Sequence, residues 1–116
     1  MNNLLTQICE KKKIELKLSK KRCSFSSLEK LIQEKKNRGF KKLLINSQIK
    51  NRNNLIGEIK KASPSAGIII EDYIPENIAV NYEQSGVGAI SILTETSLFK
   101  GHLDHLSLIN KIASAL

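Results

Sequence analysis

The sequence predicts an α/β fold, in which a parallel strand, helix, strand unit occupies the second half of the chain and follows a segment that is helical throughout. Three observations carry this. Two short apolar runs, LIGEI at 55–59 and AISIL at 89–93, are separated by one helix-length segment, the signature of a βαβ unit and hence of a parallel sheet. That segment has Pro75 at a first helical position and Gly86 at its end. Residues 1–54 show helical periodicity and no strand pattern.

The elements follow in order. Leu4, Leu5, Ile8 and Cys9 recur at helical spacing, with lysines between and after them, which predicts an amphipathic helix to about Lys17 that packs by this one stripe. Ser26-x-x-Glu29 has capping-box spacing and opens a second periodic run, Leu28, Leu31 and Ile32, with Gly39 expected to end it. Phe40, Leu43 and Leu44 predict a third short helical turn, and NSQIKNRNN reads as a polar connection into the first strand. Past the strand, KASPSAG is a polar, proline-broken loop. Ile78, Ala79 and Tyr82 form the inner stripe of the middle helix. After the second strand come the polar loop Thr94 to Ser97 and a last helix within HLDHLSLINKIASAL, with Leu103, Leu106, Ile109 and Ile112 or Ala113 on one face.

Composition narrows the function. A length of 116 residues is about one small domain, and 41% hydrophobic with 26% charged residues is ordinary for a globular protein. No apolar run reaches membrane-spanning length, and MNNLLTQICEKKK lacks the apolar core of a secretory signal, so the chain reads as cytoplasmic. Cys9 and Cys23 make neither a disulfide framework nor a zinc motif and read as ordinary thiols. His102 and His105, three apart, are too isolated to argue for a metal. The net charge of +8 is unevenly held: residues 1–54 carry 15 Lys+Arg and 4 Asp+Glu, a net +11, against 4 and 7, a net −3, in residues 55–116. Scattered lysines without interleaved aromatics, and without helix-turn-helix or zinc-finger spacing, argue for solvated helices rather than a nucleic-acid surface. The field they set up can still attract an anionic substrate.

One stretch holds the candidate chemistry. In LIGEIKKASPSAG, residues 55–67, an extended chain turns Ile56, Glu58 and Lys60 to one side and Leu55, Gly57 and Ile59 to the other. A carboxylate and an ammonium thus share a face at the strand's end, and burying such charges is costly unless they are paired. This fits a surface ion pair and a functional site about equally. Lys61 points the other way and reads as a solvated neighbour. Ser63-Pro64-Ser65 is also a common turn sequence, and Phe99 could equally be a core residue.

GEIKKASPSAG, Tyr73-x-Pro75, Ile78-Ala79, AISILTE and Phe99-x-Gly101 with Leu103, in that order, resemble the indole-3-glycerol-phosphate synthase family. The pattern runs without a gap from about Leu55 to Leu106, EIKKASPS being its most specific part, and the leading helices resemble the family's N-terminal extension. The resemblance implies an incomplete TIM (β/α)8 barrel: an N-terminal helical extension over 1–54 and the first two βα units over 55–116. It implies a carboxy-lyase of tryptophan biosynthesis that closes the ring of 1-(2-carboxyphenylamino)-1-deoxyribulose 5-phosphate to indole-3-glycerol phosphate, losing carbon dioxide and water. No cofactor and no metal are implied. The substrate is a small anion bearing a phosphate and a carboxylate; no nucleic acid or membrane partner is expected. Carried over by motif, Lys60 binds the substrate's carboxylate or phosphate as a point charge, and Ser63 donates to the same carboxylate. Glu58 hydrogen-bonds a substrate hydroxyl or holds the catalytic lysine, and Phe99 lines the pocket for the anthranilate ring. Glu95 matches no catalytic position.

Ala66, Ile74 and His102 depart from the family pattern, which more often has lysine, aspartate and serine there; the last two changes remove capping side chains, about 1 kcal/mol each. The family's general-acid lysine and general-base glutamate, at the ends of the third and fourth strands, have no counterpart in these 116 residues. The chain is therefore expected to be a piece of a synthase that turns over negligibly by itself, unless an unknown protein partner completes the barrel. Two other classes compete. A stand-alone interaction module would run as a monodisperse species, and a basic nucleic-acid binder would lose affinity steeply with salt.

Overall fold

In a computed structural model that describes residues 3–33, 35–49 and 53–114, the chain divides into two units, residues 1–37 and 38–116. The first holds α1 (Leu4–Arg22) and α2 (Phe25–Gln33). The side chain of Asn3 caps α1 by accepting from the Thr6 amide at 2.8 Å, and Lys20, Lys21 and Arg22 complement the helix dipole in the last turn. The helix runs five residues past Lys17 because nothing in ELKLSKKR breaks it. The stripe expected to pack does not: Ile8 is half-buried, while Leu4, Leu5 and Cys9 are exposed, and neither helix has a buried residue. Periodicity reports a capacity to pack, and within this unit the stripe meets no cover. The cap of α2 also differs from the expected Ser26. Ser24 accepts from the Ser27 amide at 3.2 Å, so the helix starts before Ser26 and Glu29 lies inside it.

The second unit opens with α3 (Phe40–Ile49), β1 (Ile56–Ile59), β2 (Ala62–Ser63) and β3 (Gly67–Ile68). It continues through α4 (Pro75–Gln84), β4 (Ala89–Ile92) and α5 (Asp104–Ile112). Gly39 starts α3 rather than ending α2: its φ of 89° turns the chain, and its carbonyl accepts from the Leu43 amide. The helix extends through Asn46, Ser47 and Ile49, where a polar loop was expected, and residues 50–52 of that expected loop lie outside those described. Ser47 returns its hydroxyl to the Leu43 carbonyl, and the Asn54 amide reaches that carbonyl and the Ser47 hydroxyl. α3 thus belongs to the same unit as the strands rather than to that of the first two helices.

β1 and β4 pair in parallel, with Ile56, Gly57, Glu58 and Ile59 opposite Ala89, Ile90, Ser91 and Ile92, as the βαβ pattern predicts. Side chains alternate, so Gly57, Ile59, Ile90 and Ile92 share one face and Ile56, Glu58 and Ser91 the other. The first face is covered by α4 and α5: Ile59, fully buried, clusters with Ala79, Ile109 and Ala113, with Ile78, Tyr82, Ile90 and Ile92 around them. Gly57 is required there, because a Cβ would fall 2.5 Å from the Tyr82 ring, whose hydroxyl donates to the Glu58 carbonyl at 3.1 Å. On the opposite face Ala89 is buried beside Ile56, which is 54% exposed, and Glu58 and Ser91 are exposed toward the carboxyl end.

Pro75 begins α4 as expected, and Ile74, at its N-cap, provides no side-chain hydrogen bond. Gly86, at φ 79°, closes the turn after the helix. On α5 the inner line is His105, Ile109 and Ala113, spaced i, i+4, i+8, whereas Leu103, Leu106 and Ile112 of the expected face are exposed. One strip of the helix touches the sheet, and a two-strand sheet is too narrow to cover a wider one.

Candidate functional site

The carboxyl ends of β1 and β4 lie side by side, the Leu93 amide donating to the Ile59 carbonyl at 3.1 Å, so the loops leaving both strands emerge together. On the open face at this end, Lys60 Nζ donates to Glu58 Oε1 at 2.5 Å. The lysine side chain is 31% exposed and the glutamate 46%, so the pair sits at the surface and not in a core. An ion pair this exposed is worth about 0–1 kcal/mol, too little to be its main consequence. What the strand achieves is to present a cation and an anion together beside an open face.

The β1 loop is more ordered than its polar sequence suggested. β2 and β3 form an antiparallel pair, with Ala62 opposite Ile68 and Ser63 opposite Gly67. Gly67, at φ 68°, lets the chain turn back. Ser63 Oγ accepts from the Ala66 amide at 3.2 Å and lies 3.4 Å from Ser65 Oγ, a side-chain-closed turn. Either hydroxyl of the Ser63 and Ser65 pair can be the donor. Lys61 is not simply solvated: it is half-buried, with Nζ 5.9 Å from the centroid of the Tyr73 ring. Burial, and then the negative charge of Glu76, raise the Tyr73 pKa above its usual value.

The Tyr73 hydroxyl and His105 Nδ1 are buried without a hydrogen-bond partner among the described residues, and their rings lie 5.8 Å apart. His102 is exposed at the start of α5. Its Nδ1 accepts from the Asp104 amide at 3.2 Å, which replaces part of the capping the missing serine was expected to remove. No group of three or more acidic, histidine or cysteine side chains suited to a metal occurs among the described residues.

The β4 loop carries Phe99, half-buried, and is gathered around Glu95. Oε1 accepts from the Ser97 amide at 3.0 Å and its hydroxyl at 2.6 Å; Oε2 accepts from the amides of Leu98 at 2.7 Å and Phe99 at 3.0 Å. Burial alone would raise the carboxyl pKa, but the bonds from the Ser97 hydroxyl and the Leu98, Phe99 and Ser97 amides outweigh it and hold the group at about 2. The sequence reading gave Glu95 no part in the site. The available signal was the Glu-x-Ser spacing directly after a strand, where an acceptor can close a turn on the amides that follow.

Glu58, Lys60 and Ser63 thus come from β1 and the loop after it, and Phe99 from the neighbouring β4 loop. A parallel strand pair with charged side chains where a strand gives way to its following loop marks an α/β protein, a class whose sites commonly lie at the carboxyl edge of the sheet. The sequence profile of indole-3-glycerol phosphate synthase matches residues 5–116, and the chain belongs to that family. It is 42% identical over 112 residues to the indole-3-glycerol phosphate synthase of Aliarcobacter butzleri, covering 96% of this chain and 43% of that protein. Those of Campylobacter jejuni subsp. doylei, 41% identical with 93% and 42% covered, and Prochlorococcus marinus strain AS9601, 42% identical with 94% and 37% covered, are similar. The chain spans about two-fifths of the length of these curated relatives.

Proposed function

We propose that this chain supplies the N-terminal helical extension, residues 1–54, and the first two βα units, residues 55–116, of a TIM-barrel indole-3-glycerol-phosphate synthase. The single observation that carries the reading is the Lys60 and Glu58 pair held on the open face at the carboxyl end of β1, within the family's most specific motif. In a (β/α)8 barrel this face is the interior and this end is the catalytic mouth. Lys60 binds the carboxylate or phosphate of the substrate, and the flexible ammonium suits either anion. Ser63 donates its hydroxyl proton to the same carboxylate while its oxygen accepts from the Ala66 amide. Glu58 orients Lys60 and takes a hydrogen bond from a substrate hydroxyl. Phe99 offers an apolar face to the anthranilate ring, fixing its approach to the carbon it attacks. The basic field of residues 1–54 attracts the doubly anionic substrate. Acid and base are expected from later strands, so these residues bind and position, in the cytoplasm and without a cofactor. Family membership favours this reading over a stand-alone interaction module.

The test is complementation of a tryptophan auxotroph lacking the synthase, with residues 1–116 joined to the remainder of a curated relative. Growth is expected from the chimera and not from residues 1–116 alone. Within the chimera, Lys60→Ala is expected to lower kcat/KM about 10- to 100-fold, the worth of a hydrogen bond to a charged group, while Lys61→Ala changes it little. A chimera that folds but does not support growth refutes the function, and an unimpaired Lys60→Ala enzyme refutes the site.

A further inference from the structure

The β4 loop is closed twice on a single residue. The Glu95 side chain gathers the donors of residues 97–99, and the Glu95 carbonyl accepts from the Gly101 amide at 2.8 Å. Two further features fix the return of the chain. Lys100 takes a φ of 56°, uncommon for a residue with a side chain, and a Cβ on Gly101 would overlap the Leu93 carbonyl oxygen at the end of β4. The segment between Glu95 and Gly101 is therefore a ring pinned at the strand's end, and Phe99 is carried on it.

We propose that Glu95 is a positioning residue, whose carboxylate holds the amides of residues 97–99 and so fixes the Phe99 ring as a wall of the substrate site. This rests on the reading of Phe99 given above and adds to it a residue with no catalytic assignment. Both carboxylate oxygens are occupied by donors from the loop itself, so Glu95 acts through the loop and not on the substrate. A carboxylate is needed rather than an amide. An ionised group accepts at both oxygens and bonds more strongly, whereas glutamine offers one acceptor and turns its NH2 toward the amides of Leu98 and Phe99 or of Ser97.

The experiment has two parts. Amide hydrogen exchange on the 116-residue chain compares the parent with Glu95→Gln. Protection at Leu98 and Phe99 is expected to fall about 10-fold, with Ile59 and Ile92 unchanged. Unchanged protection at Leu98 and Phe99 overturns the proposal and leaves the proposed function standing. If Glu95→Gln also loosens Ile59 and Ile92, Glu95→Asp decides, since it keeps the charge: Leu98 protection regained supports the clamp, and protection still lost overturns it. Steady-state kinetics of the chimera then compare Glu95→Gln, Phe99→Ala and the double variant. KM is expected to rise in each single variant, and the double variant to be no worse than Phe99→Ala. Losses that add would mean that Glu95 acts independently of Phe99, and would overturn the proposal. A chimera inactive with Glu95 intact is instead a failure of the proposed function, seen before any variant is made.

Discussion

Lys60 and Glu58 contribute little to stability. Their pair is too exposed to stabilise the fold by more than about 1 kcal/mol. Lys60→Ala is therefore expected to lower the unfolding free energy, read by urea denaturation, by no more than that, while impairing the chimera. Gly57 is the opposite case. Its missing side chain is the space that Tyr82 occupies, so Gly57→Ala is expected to destabilise by about 1–3 kcal/mol, read by urea denaturation, although alanine suits a strand no worse than glycine. Glu95 sets a pH dependence. Its folded pKa of about 2 lies below the ordinary 4.5, so protonation disfavours the clamped loop. Its contribution is complete above about pH 4.5 and is lost as the pH falls through 2, and the Leu98 and Phe99 amides should lose protection across that window.

At the scale of elements, the strands and the middle helix were legible because their patterns are short and closed by clear signals. Two apolar runs stood either side of a Pro75 to Gly86 helix, and the parallel pairing followed. Helix ends were less legible. Ser24 and Ser26 both suit a cap, and which one serves depends on where the chain leaves α1. Gly39 can end one helix or start the next, and its positive φ serves α3. Ile74 marks an element that the sequence leaves unfinished: it has extended N-cap geometry with no side-chain acceptor. Ile74→Asp is expected to stabilise α4 by about 1 kcal/mol, seen as a higher midpoint in a thermal or urea melt. The adjacent Glu71, Asp72 and Glu76 set the upper limit to the gain.

For the whole molecule, the core is narrow. Among the described residues Ile59 is the one large side chain buried to 0% exposure, and small residues, Ala79 and Ala113, let the helices approach it. Ile59→Ala is expected to cost about 2–5 kcal/mol, a large share of the 5–15 kcal/mol typical of a domain, and to leave the chain largely unfolded by circular dichroism. The same narrowness explains the misread face of α5, while the stripe of α1 finds no cover within its own unit. Leu4, Leu5, Leu103 and Leu106 have the spacing to pack, but each lies outside the strip that its own unit covers.

Residues 55–67 show where sequence and tertiary structure divide the work. Alternation alone determined that Glu58 and Lys60 share a face and that Gly57 and Ile59 oppose them, since strand geometry has period two whatever the surroundings. The motif determined the family. Only the tertiary structure decided which face is covered, because that depends on where α4 and α5 return. It also decided that KASPSAG folds into a hairpin and that Glu95 organises the loop carrying Phe99. Those interactions join residues through backbone amides and carbonyls, which every residue but proline carries in full, and so they leave almost no mark on the sequence.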